Sequence, residues 1–166
     1  MKVQDNFLND EHLNELDSII NNPQFAWFLQ DEQIQGADDG IWFSHRIYDT
    51  NTPLSSFYNP VSEIFKDYFR YISLCRITVN CLPRQDTPSI SAFHTDFDLL
   101  GKVDEEKITT AIFYLNTNNG ATEIENESKV DCVSNRLLMF PATTFHRAIG
   151  QTDINKRIVL NFNFVI

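Results

Sequence analysis

A chain of 166 residues with 42% hydrophobic and 13% aromatic content can bury a real core without disulfides or a structural metal, which excludes a disordered or low-complexity protein. Thirteen Lys and Arg face 23 Asp and Glu, a formal charge of −10. That balance argues against bulk nucleic-acid or anionic-membrane binding, because such partners select cations that release counterions.

The first six residues, Met1-Lys2-Val3-Gln4-Asp5-Asn6, contain no apolar run of the kind a secretory signal needs. No apolar stretch approaches the roughly 20 residues that cross a bilayer. The expectation is a single cytoplasmic domain over 1–166. Cys75, Cys81 and Cys132 are odd in number and lack CxxC spacing, so they read as reduced, buried thiols.

In chain order, Asn9 caps a helix whose first turn carries Asp10 and Glu11, with Leu8 and Leu13 as a hydrophobic staple and Leu13, Leu16, Ile19 and Ile20 on one stripe. Asn21-Asn22-Pro23 ends it. Residues 30–40 are polar and loop-like. A second helix is expected after Asn59 as cap, with Pro60 in its first turn and Val61, Ile64, Phe65, Tyr68, Phe69 and Ile72 on its buried stripe. From Leu74 the period becomes two, and strands are expected at 74–82, 90–95, 107–115, 121–126, 129–133, 135–140, 144–149 and 156–165, with Asn119-Gly120 as a hairpin turn. The fold class is mainly β with N-terminal helices. Residues 1–73 form a helical support, and 74–166 form a jelly-roll (double-stranded β-helix) barrel that it buttresses.

Ile158, Leu160, Phe162 and Phe164 alternate with Arg157, Val159, Asn161 and Asn163, while Ile77, Val79 and Cys81 alternate with Arg76, Thr78 and Asn80. The mixed face either meets water, as in an ordinary half-solvated sheet, or lines a ligand pocket inside the barrel while the apolar face packs under the helices. The motifs favour the pocket. In Ser91-Ala92-Phe93-His94-Thr95-Asp96-Phe97, His94 and Asp96 lie two apart at a strand end, so both emerge on one face and can converge on one metal. Pro141-Ala142-Thr143-Thr144-Phe145-His146-Arg147 supplies a second His, and Arg157 follows eleven residues later. Two His and one carboxylate bind Fe(II) and leave positions open for a chelating cosubstrate and oxygen. Such a site carries one net positive charge, a dianionic 2-oxo acid makes it negative by one, and one cation then balances it. Arg157 suits that task, since its planar fork binds a carboxylate through two parallel hydrogen bonds.

At these residues the sequence resembles the Fe(II)- and 2-oxoglutarate-dependent dioxygenases of the prolyl-4-hydroxylase-like group, and is similar to small phage-encoded members. The resemblance rests on His94-Thr95-Asp96, Ala111-Ile112-Phe113-Tyr114-Leu115-Asn116, Asn119-Gly120-Ala121-Thr122-Glu123, the Asn135-to-Pro141 strand leading to His146, and Arg157. It implies His94, Asp96 and His146 as catalytic iron ligands and Arg157 as partner of the cosubstrate's C5 carboxylate. Tyr114 matches a tyrosine that assists that carboxylate, or is a buried aromatic with a satisfied hydroxyl. Asn80 contacts the cosubstrate or is a structural amide. The sequence departs from the family at Val159, where many members have Ser or Thr, and at Ala121, where a second glycine is usual. The implied cofactors are Fe(II), 2-oxoglutarate and molecular oxygen, with ascorbate as a stimulant.

The implied reaction is hydroxylation of an unactivated C–H bond, with a prolyl residue of a peptide or protein as the family-level substrate. The alternatives are a free amino acid or other small molecule, or a non-oxidising cupin-type metal protein. Nucleic acid is disfavoured because 158–166 lacks the second Arg of the nucleic-acid demethylases. His12 reads as a surface residue and His45 as a packing residue. Asp98, Asp104, Glu105 and Glu106 read as a solvated loop or a lid that would favour basic peptides. Oligomeric state is not legible.

Overall fold

The computed structural model describes residues 1–30, 41–96 and 108–166. Of the loop expected at 30–40, Gln30 ends a strand instead and 31–40 lie outside these residues, as does the acidic stretch after Asp96. Helix α1 (Asp10–Ile20) begins as its sequence dictates. Asn9 Oδ1 accepts the His12 N–H at 2.8 Å, and Asp10 and Glu11 meet the positive end of the helix dipole. Leu16 and Ile20 are its buried residues. Helix α2 (Tyr58–Phe65) starts earlier than expected, capped by Phe57 without a side-chain bond, and ends sooner. The N–H groups of Tyr68 and Phe69 both turn back to Phe65 O, and Ile72 bonds Val165 instead of a helical carbonyl. Ile72 therefore leaves the helical stripe and is 81% exposed.

Eleven strands accompany the helices among the described residues: β1 (Lys2–Gln4), β2 (Phe28–Gln30), β3 (Trp42–Asp49), β4 (Thr52–Pro53), β5 (Ser73–Pro83), β6 (Ile108–Tyr114), β7 (Ala121–Ile124), β8 (Lys129–Asp131), β9 (Arg136–Pro141), β10 (His146–Ile149) and β11 (Lys156–Val165). A large antiparallel sheet runs β1-β9-β6-β11-β5-β3-β2 with β4 on β3, and a small one runs β10-β7-β8. The first 73 residues are thus not a purely helical support, since they contribute four strands. The longest of these, β3, escapes a period-two reading because the register slips between Arg46 and Tyr48, leaving the consecutive Ile47 and Tyr48 both buried.

The expected strand at 90–95 reduces to two isolated bridges, Ile90 to Ile149 and His94 to His146, which lay the segment along β10. Asn119-Gly120 is not a hairpin. It carries the chain from β6 in the large sheet to β7 in the small one. Asn119 is held there by side-chain and backbone bonds to Thr152 and Asp153. Glycine is needed at 120 for space: a Cβ would sit 2.7 Å from Ile149 O and 3.1 Å from Arg157 Cδ.

The alternating faces separate as the sequence anticipates. Ile77, Val79, Ile158, Leu160, Phe162 and Phe164 join α1 and α2 in one apolar core, where Phe65 packs on Phe162 at 4.6 Å. A second cluster, with Ile112, Tyr114 and Val159 from the large sheet and Ile124 and Val130 from the small one, lies between the sheets. No helix among the described residues is long and apolar enough to cross a membrane.

Candidate functional site

The inner face of the large sheet is built in cross-strand rows. Asn80, Val159 and Tyr114 form one row across β5, β11 and β6; Thr78, Asn161 and Ile112 form the next; Arg76, Asn163 and Thr110 form the third. Residues on one row are direct neighbours, so polar groups far apart in sequence become partners by register alone.

His94 and His146 meet across the small sheet. Each backbone N–H bonds the other's carbonyl, at 3.0 and 2.9 Å, which puts both rings on one face with centroids 4.4 Å apart. His94 Nδ1 lies 3.2 Å from Ala92 O and His146 Nδ1 lies 3.0 Å from Thr144 O. In both rings Nδ1 therefore carries the proton, and Nε2 is left as a lone-pair donor. One ligand atom from each of His94, Asp96 and His146 lies within 4.8 Å of the others, and all three residues are buried. Burial lowers the pKa of His146, keeping it neutral as a ligand must be.

Asp96 is the most constrained member. Oδ1 accepts Arg76 Nη2 at 3.1 Å, while Oδ2 accepts Thr110 Oγ1 at 2.8 Å, Asn163 Nδ2 at 3.0 Å and Asn161 Nδ2 at 3.2 Å. Burial by itself raises the carboxyl pKa, but Arg76, His146 and these hydrogen bonds outweigh it and hold it at about 2. With three donors on Oδ2, the spare lone pair of the carboxylate is on Oδ1, so Asp96 is prepared as a ligand through one oxygen. The hub of Arg76, Thr110, Asn161 and Asn163 was not singled out as part of the site from sequence. Its signal was the run of polar residues at period two on two strands whose other face is apolar.

Arg157 is 2% exposed and lines a cavity of about 680 Å³ that also meets His94, His146 and Asn80. Its Nε donates to Cys132 Sγ at 2.8 Å and its Nη2 to Thr122 Oγ1 at 3.3 Å. Burial raises the Cys132 thiol pKa, so the sulfur is a neutral acceptor. No carboxylate among the described residues pairs with this buried guanidinium. Tyr114 donates its hydroxyl to Thr122 Oγ1 at 2.8 Å, and its ring centre lies 5.9 Å from the Arg157 guanidinium carbon. Burial raises its pKa, keeping the phenol protonated. Asn80 and Asn161 line the same cavity, and the Oδ1 of each is buried without a partner among the described residues.

Other candidates resolve as packing. His45 is buried on the apolar side, bonded to Ala26 O at 2.6 Å and Ser55 Oγ at 2.8 Å. His12, half-buried, bonds Tyr68 Oη. The three cysteines are free, and Cys132 is buried as expected, while Cys75 and Cys81 are only partly buried, a correction to the expectation.

No family model and no curated protein matches the sequence. Solved structures match the fold along almost all of the chain. A prolyl-4-hydroxylase of Pseudomonas putida is 13% identical with TM-score 0.63, over 99% of this chain and 91% of its own. A prolyl hydroxylase from Trichoplax adhaerens, in complex with a peptide fragment of the hypoxia inducible factor oxygen degradation domain, is 17% identical with TM-score 0.60, over 99% and 83%. The non-heme alpha ketoglutarate dependent epimerase SnoN from nogalamycin biosynthesis is 11% identical with TM-score 0.69, over 98% and 77%. Two facing antiparallel sheets, the helical buttress and this likeness together give the chain the jelly-roll fold of the 2-oxoglutarate–Fe(II) oxygenases.

Proposed function

We propose that the protein is an Fe(II)- and 2-oxoglutarate-dependent dioxygenase that hydroxylates an unactivated C–H bond, on a prolyl residue of a peptide or protein. The observation that carries this reading is the pairing, in one cavity, of a buried His94–Asp96–His146 donor set with a buried Arg157 lacking an anionic partner among the described residues. Two neutral imidazole nitrogens and one carboxylate oxygen suit ferrous iron and leave positions for a bidentate cosubstrate. Fe(II) with 2-oxoglutarate and oxygen supplies the C–H oxidation, with succinate and carbon dioxide as coproducts.

The chain's own residues bind, orient and exclude water. His94 and His146 offer Nε2, aimed by their Nδ1 bonds, and Asp96 offers Oδ1. Arg157 pairs with the distal carboxylate of 2-oxoglutarate, its fork held by Cys132 and Thr122. Tyr114 supports that end of the cavity, and Asn80, on the cavity wall, contacts the cosubstrate through its amide N–H. Ile112, Val159 and Leu82 keep the walls apolar and dry. Prolyl hydroxylases among the fold's members support the prolyl substrate. The free cysteines suit a reducing compartment, and the cytoplasm is the proposed location.

An anaerobic titration of Fe(II) and 2-oxoglutarate, followed by the weak visible charge-transfer band and then by succinate release in air, tests the assignment. A band and peptide-stimulated succinate with a one-oxygen mass gain on the peptide are expected. Stimulation by free amino acids alone would replace the prolyl substrate with a small molecule. Metal binding without succinate under any substrate would favour a non-oxidising cupin-type protein.

A further inference from the structure

Beside the Arg157 cavity, and sharing Trp42, Asn80, His94 and Asn161 with it, lies an open cleft of about 700 Å³ including its mouth, lined also by Gln30, Ser44, Arg46, Arg76 and Thr78. It holds two arginines, Arg46 paired with Asp49 and Arg76 paired with Asp96. Its carboxylate is Asp96, already committed to the centre. Arg46 extends the Thr78–Asn161 row onto β3, and Arg76 stands two residues before Thr78 on β5, past the register slip that sets Asp49 opposite it. Both long side chains line the one cleft.

Both guanidiniums keep donors to spare. Arg46 uses Nη1 on Asp49 at 3.0 Å, and Arg76, a lining residue, uses Nε on Asn163 and Nη2 on Asp96, so its Nη1 has no partner among the described residues. Trp42 Nε1, a group that can only donate, is buried without a partner among the described residues, and Trp42 lines both this cleft and the Arg157 cavity. A row of free donors asks for an acceptor with several lone pairs. Charge asks for the same thing. On the reading above, one Asp carboxylate and a 2-oxoglutarate dianion face a divalent metal and two buried guanidiniums, Arg76 and Arg157. One positive charge remains uncompensated, and a buried charge is costly until paired.

We propose that the substrate brings a carboxylate into this cleft, held by Arg46, Arg76 and Trp42 Nε1 beside the metal centre. This inference rests on the oxygenase reading and adds the charge class of its substrate. The carboxylate can belong to a free amino acid or to an acidic residue of a peptide, and the experiment separates them.

The full chain, loaded with Mn(II) and saturated with 2-oxoglutarate, is titrated calorimetrically with two sets of probes. One set is L-proline against L-prolinamide. The other is the acetylated, amidated tripeptides Ala-Pro-Asp, Ala-Pro-Asn and Ala-Pro-Lys. The carboxylate probe of at least one set is expected to bind about tenfold tighter than its neutral counterpart. The preference should fall below about threefold in Arg46→Gln, recover in part in Arg46→Lys, and weaken in Trp42→Phe, which keeps the ring but not the donor. A preference confined to the first set identifies a free amino acid, and one confined to the second an acidic peptide. No carboxylate preference in either set, a preference for the lysine peptide, or a preference intact in Arg46→Gln overturns the proposal. Mn(II) and 2-oxoglutarate binding are measured first. Their failure counts against the oxygenase reading alone, because the Arg46-dependent preference is then read on the metal-free chain.

Discussion

Asp96→Ala should destabilise the protein heavily, whereas His94→Ala and His146→Ala should remove metal binding at a modest cost in stability. The difference follows from what each side chain holds. Asp96 receives four donors, one of them the guanidinium of Arg76, which is only 5% exposed. Removing one partner of a buried ion pair costs about 3–5 kcal/mol, because the other charge is stranded. Each neutral donor left unpaired adds about 1–3 kcal/mol, less whatever water entering the space recovers. With water entering the space satisfying the three neutral donors, the stranded guanidinium dominates and a loss of about 4 kcal/mol is expected, against a total stability of about 5–15 kcal/mol. The Nδ1 bonds of the two histidines are to neutral backbone carbonyls, and truncating either ring should cost about 1–2 kcal/mol. Urea denaturation of the metal-free chain in chelator reads this directly, with the Asp96→Ala midpoint falling by about 1.5–2 M for a slope of about 2 kcal/mol/M. The pair Arg76→Met with Asp96→Ala should recover about 2 kcal/mol relative to the sum of the single changes. An Asp96→Ala unfolding free energy within about 0.5 kcal/mol of wild type, or strict additivity with Arg76→Met, would refute the reasoning.

Arg157→Ala should leave Mn(II) affinity nearly unchanged and weaken 2-oxoglutarate by about 2–5 kcal/mol, read by competition calorimetry; unchanged affinity would remove Arg157 from the cosubstrate site. Gly120→Ala forces its Cβ against Ile149 O and the Arg157 stem. It should cost about 1–3 kcal/mol and weaken 2-oxoglutarate without touching the metal ligands, and thermal melts with the same calorimetry check both. Acid should expose Asp96. Its carboxyl, lowered from 3.8 to about 2 in the fold, contributes about 2 kcal/mol that is fully present above about pH 4 and lost as pH falls through the folded value. An acid titration of metal-free Asp96→Asn should lack that component, and an unchanged acid limb would show that other carboxylates carry it.

The sequence by itself determined the barrel half, the alternating faces and the chemical roster. Period-two alternation in 156–165 needs no partner to be seen, and two imidazoles, one carboxylate and one arginine are an unusual set at such spacings. Capping did the same for α1, since Asn9, Asp10 and Glu11 act locally. Tertiary structure decided what depends on register. The slip between Arg46 and Tyr48 hid β3 from a periodic reading, and the turn of Tyr68 and Phe69 back onto Phe65 ended α2 where the apolar stripe runs on. Asn119-Gly120 looks like a hairpin to a local rule, yet the strands it joins find partners in different sheets. Arg76 is the clearest case. In sequence it is one polar residue on an alternating strand, twenty positions from Asp96, and only the row shared with Asn163 and Thr110 brings its charge onto that carboxylate. Alternation sets which face a side chain takes, but pairing between distant strands sets which neighbour it meets, and no local pattern encodes that.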